Sequence, residues 1–171
     1  MLAEILKSAG LQPTVLIGGV APSINSSYYI GGNEYVVFES CEYSDSFLHF
    51  PAKISIILNV ETEHLDYFKS RERLLDSFHR YANQSGRDGT VIVCGDSKWA
   101  MEATEGILPR RVTYGLDGDW DFTAKNITFN KGYPCFTIYH DSEPLFETRL
   151  SVPGRHNILN ALAATAASRQ L

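Results

Sequence analysis

Four short apolar runs constrain this chain more than anything else in it: TVLI (14–17), YVVF (35–38), ISIIL (54–58) and TVIVC (90–94). None alternates polar with apolar residues, so each reads as a strand buried on both faces. Helical patterns separate several of them, and strands of that kind form a parallel sheet covered by helices. Leu2, Ile5, Leu6 and Ala9 have helical spacing, with Gly10 as a stop and Pro13 beyond it. That helix starts at residue 1 without a cap, as a helix cut in its middle would. Residues 64 to 82 predict a second helix with Leu65, Phe68, Leu74, Leu75, Phe78 and Tyr81 on its apolar face. Between Gly18-Gly19 and Gly32 the chain is rich in Ser and Asn and reads as a loop.

The pattern changes near residue 110. Segments 111–114, 121–129, 133–139 and 145–150 read as antiparallel strands, with turns at Asn130-Lys131-Gly132 and Asp141-Ser142. Pro153-Gly154 then opens an Ala-rich helix that is expected to run to the end of the chain. The fold class expected is α/β: a mostly parallel sheet flanked by helices, with a small antiparallel β subdomain near 111–150. The 171 residues are 44% hydrophobic and 20% charged, enough apolar material for one folded domain. The net charge is −5 and no basic run occurs, which disfavours nucleic-acid or membrane partners. No apolar run approaches the ~18 residues of a membrane span. The three cysteines, Cys41, Cys94 and Cys135, lack C-x-x-C spacing and read as reduced thiols of a cytoplasmic protein.

In open α/β sheets, ligands bind at the carboxyl ends of the strands. Three segments place polar side chains there: Glu39-Ser40-Cys41-Glu42, then Asn59 through Asp66, then Gly95-Asp96. Glu39 and His64 are candidate ligands of a divalent metal. Each has a plainer alternative: a carboxylate that caps or pairs, and a surface imidazole at a helix start. Glu61, Glu63 and Asp66 suit the positive end of a helix, and Asp66 can also orient His64. His49, His79 and His140 have no such placement and read as structural or exposed.

Taken together, ESCEYSDSFL (39–48), NVETEHLDYF (59–68) and VPGRHNILNALAA (152–164) resemble the Mur ligase family, in the same order. The opening AEILKSAGLQPTVLIGG is similar to that family's segment just beyond its phosphate loop, so the resemblance runs over essentially the whole chain. It is strongest to the branch that joins L-alanine to UDP-N-acetylmuramate in peptidoglycan synthesis. The resemblance implies the central, ATP-handling domain over residues 1–171, without the N-terminal UDP-binding and C-terminal domains. It implies ATP-dependent activation of a carboxylate to an acyl phosphate, which an amine then attacks. Glu39 and His64 match the family's Mg²⁺-site positions. Asn157 and Asn160 match positions that contact the nucleotide base, with Arg155 and His156 in the same motif. Glu42 matches a recurrent acid near substrate or metal, with Asn59 and Asp66 beside the metal position.

Some residues depart from the family pattern. The usual acidic pattern is closer to E-A-D-E or E-A-C-E, where this chain has Ser40 and Cys41, and Glu63 replaces the first Asp of D-H-L-D. Ser27 and Tyr29 stand near places where an Asn and an Arg usually face substrate. The phosphate-gripping motif G-x-x-G-K-T/S occurs nowhere in this sequence. Weak MgATP binding and no activity from the chain alone are therefore expected, along with some self-association through an open sheet edge. Two other readings compete: a non-catalytic binding or scaffold module built on the same fold, and another amide ligase of the superfamily, of the folate-polyglutamate or cyanophycin type. ESCEYSDSFL fits the last poorly.

Overall fold

Val91, Ile92 and Val93 have no solvent exposure at all in the computed structural model, which places their strand in the middle of a covered sheet. The structure describes every residue except Glu63, and for Leu65 the backbone only; what the sequence suggested for those two lies outside the described residues. The chain divides into two compact units, Met1–Cys41 and Glu42–Leu171.

In the first unit, α1 (Leu2–Ser8) is followed by β1 (Thr14–Ala21), β2 (Ser26–Tyr29) and β3 (Val36–Phe38). The helix ends as its sequence predicts. Gly10 takes φ +80°. Its N–H donates to the Lys7 carbonyl, and the Leu11 N–H donates to the Leu6 carbonyl, both at 3.0 Å. That pair of bonds is the Schellman stop, and glycine is the residue that enters it without a Cβ penalty. Strand order is β2-β1-β3, with β1–β3 parallel and β1–β2 antiparallel. Strand β2 corrects the expectation of a loop up to Gly32. Ser26–Tyr29 carries no apolar run and owes its strand to pairing with β1, Val15 opposite Tyr29 and Leu16 opposite Tyr28.

The second unit holds a 3-10 segment (Tyr43–His49), β4 (Ile54–Ile57), α2 (Leu65–Phe68), α3 (Arg71–Asn83), β5 (Thr90–Cys94), α4 (Lys98–Ala103), β6 (Arg110–Gly115), β7 (Phe122–Asn130), β8 (Tyr133–His140), β9 (Glu143–Arg149) and α5 (His156–Ser168). Its six strands form one sheet in the order β4-β5-β6-β7-β8-β9. β4 through β7 are parallel and β7 through β9 antiparallel. The antiparallel region expected near 111–150 thus continues the parallel strands as one sheet. Its first strand was expected to be antiparallel, but β6 pairs parallel with β5, Ile92 opposite Val112. Pairing direction depends on a partner some twenty residues away, which local pattern does not report.

Alternation along β5 assigns the two covers. Val91 and Val93 join a core with Phe47, Ile57, Phe68, Leu74, Tyr81 and Ala100, drawn from the 3-10 segment, β4, α2, α3 and α4. Ile92 points the other way, where α5 packs across β4 to β7 with Ile158 and Leu162 fully buried. The helix expected over 64–82 is two helices. Lys69 takes φ +61° and ends α2; Ser70 caps α3, its hydroxyl accepting the Arg73 N–H at 3.3 Å. α5 stops at Ser168, three residues before the end of the chain.

Candidate functional site

In the first unit, Glu39 follows β3 directly. Its N–H donates to the Leu16 carbonyl at 2.9 Å, so β3 pairing holds its backbone. Its carboxylate turns back over β1, where Oε2 accepts the Gly18 N–H at 2.8 Å. A Cβ on Gly18 would lie 3.2 Å from that oxygen. A side chain there would press the carboxylate aside, so Gly18 within β1 and Glu39 just beyond β3 form a matched pair. Each carboxylate oxygen has two lone pairs, so one amide bond leaves acceptor capacity for a cation.

In the second unit, His64 immediately precedes α2. It sits at φ +54°, a left-handed conformation that His adopts more readily than most residues. Its carbonyl accepts the Tyr67 and Phe68 N–H groups at 2.9 Å each, which fixes the imidazole at the start of the helix. Nε2 lies 3.2 Å from Glu42 Oε1. The Tyr43 ring packs against the imidazole with centroids 4.9 Å apart, and the Tyr43 hydroxyl donates to Asp66 Oδ2 at 3.2 Å. The carboxylate on His64 is therefore Glu42, while Asp66 reaches it only through Tyr43. Tyr43 was not picked out from the sequence, because its contact with His64 forms only when the two turns meet; its place directly after Glu42 is the one local hint.

At the end of β4, the Asn59 amide donates to Glu61 Oε1 at 2.6 Å and accepts from the Ser97 hydroxyl at 3.2 Å. Asn59 thereby ties the ends of β4 and β5 together. Beyond β5, Asp96 accepts three bonds: the N–H of Leu116 at 2.6 Å, that of Asp117 at 3.1 Å, and the Trp120 indole N–H at 2.9 Å. Trp120 lies on backbone that only glycine permits, since Cβ atoms at Gly95, Gly115 and Gly118 would come within 2.3 to 2.5 Å of Trp120 or Asp96.

The start of α5 is tied down from two sides. The Gly154 N–H donates to the Gly132 carbonyl in the β7–β8 turn at 3.1 Å, and Arg155 pairs with Asp117 at 3.5 Å. Asn157 donates to the Pro153 carbonyl at 2.8 Å and lies 3.2 Å from His156 Nε2. Its oxygen accepts from the Asn160 amide at 3.1 Å. The two asparagines form one amide pair on the first turn of the helix. Their outward polarity is carried by Asn160, because Asn157 is largely used up locally.

The remaining histidines sit as expected. His79 bonds the Ala103 carbonyl at 3.0 Å and His140 stacks on Phe122 at 4.3 Å. A shallow surface hollow of about 360 Å³ lined by Leu48, His79, Arg80, Asn83 and Gln84 uses none of the strand-end residues. The cysteines are free thiols. Burial pushes the Cys94 thiol up from its ordinary pKa, and burial next to Cys94 pushes the Tyr114 phenol up strongly. Among the described residues, no group of three or more His, Cys, Asp and Glu side chains is gathered to hold a metal ion. Mg²⁺ sites ordinarily use one or two carboxylates and fill the other positions with water and phosphate oxygens. In the first unit Glu39 is a hard oxygen donor at a strand end, and in the second His64 and Glu42 offer an imidazole and a carboxylate, so each donor by itself is of a type that such sites use. Among the described residues, no helix is long and apolar enough to cross a membrane.

The chain is 42% identical, over its whole length, to a UDP-N-acetylmuramate–L-alanine ligase of Agathobacter rectalis, of which it covers 38%. It is 41% identical to the enzyme of the same name from Clostridium novyi, again over its whole length and 37% of the relative. Among solved structures it superposes on the UDP-N-acetylmuramate–alanine ligase of Thermotoga maritima with a TM-score of 0.84 at 27% identity, covering 99% of this chain and 37% of that one. A UDP-N-acetylmuramate:L-alanyl-γ-D-glutamyl-meso-diaminopimelate ligase from Neisseria meningitides gives 0.86 at 25% identity, covering 98% and 56%. The chain thus spans a little over a third of the length of the curated relatives it matches. The model of the Mur ligase middle domain matches residues 2–168, and the chain belongs to the Mur ligase family through that domain.

Proposed function

We propose that this chain is the nucleotide-handling middle domain of an ATP-dependent ligase, and that the whole protein joins L-alanine to UDP-N-acetylmuramate. The observation that carries this is the end-to-end identity of about 40% to ligases so named, with one at 42% over all 171 residues. In the reaction proposed, a carboxylate oxygen attacks the γ-phosphorus of ATP and ADP leaves. The amine of L-alanine then attacks the acyl carbon, phosphate leaves, and the nitrogen loses a proton to give the amide.

Each strand-end group has a part that its own geometry supports. Glu39, held by the Gly18 N–H in the first unit, and His64, held between Glu42 and Tyr43 in the second, each take a Mg²⁺-facing role from the resemblance of their motifs to the family's. When bound, the ion would offset charge between the phosphate oxygens and the approaching carboxylate. Glu42 keeps the His64 ring in a fixed orientation through Nε2. Asn160, steadied by Asn157, offers the amide that reads a nucleotide base, and Arg155 with His156 flanks it on the first turn of α5. Asn59 ties the ends of β4 and β5 together through Ser97.

The test is phosphate release by the full-length protein with UDP-N-acetylmuramate, L-alanine and MgATP, in parent and in Glu39→Ala and His64→Ala forms. Turnover that is lost in both variants supports the reading. A well-folded full-length protein without turnover favours a non-catalytic binding module, and turnover on a different acceptor favours another amide ligase of the superfamily. The 171-residue chain contains no G-x-x-G-K-T/S loop to grip phosphates. It should bind MgATP too weakly to saturate in a calorimetric titration, and micromolar affinity would contradict that.

A further inference from the structure

We propose that Asp45 is a positioning residue that locks the turn after Glu42, so that Glu42 and Tyr43 hold the His64 imidazole in place. The proposal deepens the reading of His64 given above. The observation behind it is backbone strain with a visible restraint. Ser44 and Asp45 occupy consecutive left-handed conformations, at φ 56°, ψ 29° and φ 57°, ψ 23°. Two non-glycine residues in that region are each unfavourable on their own and persist only where the surroundings over-determine them.

The restraint is the Asp45 carboxylate. One oxygen accepts the Ser77 hydroxyl from α3, and the other accepts the Tyr67 hydroxyl from α2 at 2.8 Å. Burial opposes its charge, but the two hydroxyl donors and the nearby Arg80 and Arg73 outweigh that and hold the carboxyl below its ordinary pKa. Ser77 is 2% exposed, so its donor position is fixed by the core. Two residues on, Phe47 stacks on Tyr81 with centroids 4.5 Å apart, which clamps the far side of the turn.

The contacts form a ladder with two rungs. One side is the segment 42–45 and the other is the segment 64–67, the first turn of α2. The lower rung is Asp45 to Tyr67. The upper rung is Glu42 and Tyr43 to His64. Tyr43 also approaches Tyr67, with centroids 6.0 Å apart, and joins the rungs. Each side is one tight turn with little freedom of its own, so fixing the lower rung fixes the upper one. Aspartate suits the position twice over: it tolerates the left-handed region and it accepts two hydroxyls at once.

The test is the His64 ring signal by NMR in the metal-free chain, where the Tyr43 ring shifts the Cε1–H resonance. Asp45→Ala should remove that shift, and Tyr67→Phe should remove part of it. Val112→Ala, a core change in β6 remote from the ladder, should lower the unfolding midpoint and leave the His64 signal unmoved. A folded Asp45→Ala chain whose His64 resonance matches the parent overturns the proposal. If Asp45→Ala fails to fold, Asp45→Asn keeps the tolerance for the turn while losing the charge; a smaller displacement of the same signal supports the proposal and none overturns it. A Mn²⁺ titration separates the two readings. Broadening of the parent His64 signal, with affinity about tenfold weaker in Asp45→Ala, fits both. No broadening in the parent counts against the metal reading, while the metal-free shift still decides the role of Asp45.

Discussion

β5 and β9 belong to the same sheet but are built differently. Each of β5's central residues Val91, Ile92 and Val93 has no exposure, whereas β9 is mostly exposed along its length and, among the described residues, pairs only with β8. Helices cover both faces of β5, so it needs no polar side and can be apolar throughout. β9 is an edge, and Glu143, Glu147 and Arg149 keep it soluble there. The covered half can present chemistry only where its strands end, and that is where Asn59 and Asp96 lie. The antiparallel half contributes through its turns, as when the Gly132 carbonyl receives the Gly154 N–H.

The largest effect that tests this contrast is in the core. Ile92→Ala should cost about 2–5 kcal/mol of stability by denaturant unfolding. Phe146→Ala on β9, where the ring is 49% exposed, should cost well under about 1 kcal/mol. Equal losses would break the comparison. Next comes the strand end, where a Cβ at Gly95 would lie 2.3 Å from the Trp120 ring. Gly95→Ala should cost about 1–3 kcal/mol, as overpacking does.

A smaller effect is readable in pH. Cys94 and Tyr114 hold their protons more tightly folded than unfolded. Once pH passes the unfolded thiol value near ~8.5 the unfolded chain gives up protons first, so stability falls as pH rises. Cys94→Ala should flatten that fall below pH ~10, where an unfolded tyrosine begins to titrate. Cys135, raised by burial and by Glu147, lies half-buried on β8; Cys135→Ala should flatten it less. An equal effect from both cysteines would show that the two halves bury their thiols alike. The smallest effect is at the β8–β9 turn, where Asp141 and Ser142 sit at φ 50° and 68°. Ser142→Gly should gain less than about 1 kcal/mol in thermal unfolding, because relief of the left-handed penalty is partly offset by glycine entropy. A loss there would mean that the serine side chain contributes something the turn geometry does not reveal.

The contrast also sorts what was legible in advance. All four apolar runs are strands, but only β5 is covered throughout; β1 and β3, read as buried on both faces, form a separate three-stranded sheet in which Leu16 is 56% and Val36 60% exposed, because an apolar run marks a strand without reporting what covers it. The hairpin turns at Lys131-Gly132 and Asp141-Ser142 were equally plain, since few residues accept their backbone. β2 was invisible because SSYY has no apolar signal and depends on pairing with β1. The direction of β6 was hidden for the same reason. The break at Lys69 and Ser70 was masked by apolar spacing that continues through it, and α4 is too short to show a period. At the site, the strand ends marked out Glu39, Glu42, Asn59, His64 and Asp96. Their partners were not marked, because Tyr43 meets His64, and Asp45 meets Ser77, only once distant turns have been brought together.

The seat of Trp120 has a spectroscopic consequence. The chain has two tryptophans, and they report on different places. Trp99 lies beneath the Arg71 guanidinium, 5.0 Å from its ring centre, on the α3–α4 side. Trp120 bridges the ends of β5 and β6 with its indole N–H on Asp96. With Trp99→Phe the remaining emission belongs to Trp120 alone. Its wavelength and quenching would then follow the strand-end loop that pairs Asp117 with Arg155, giving an optical readout beside the start of α5 without any added label.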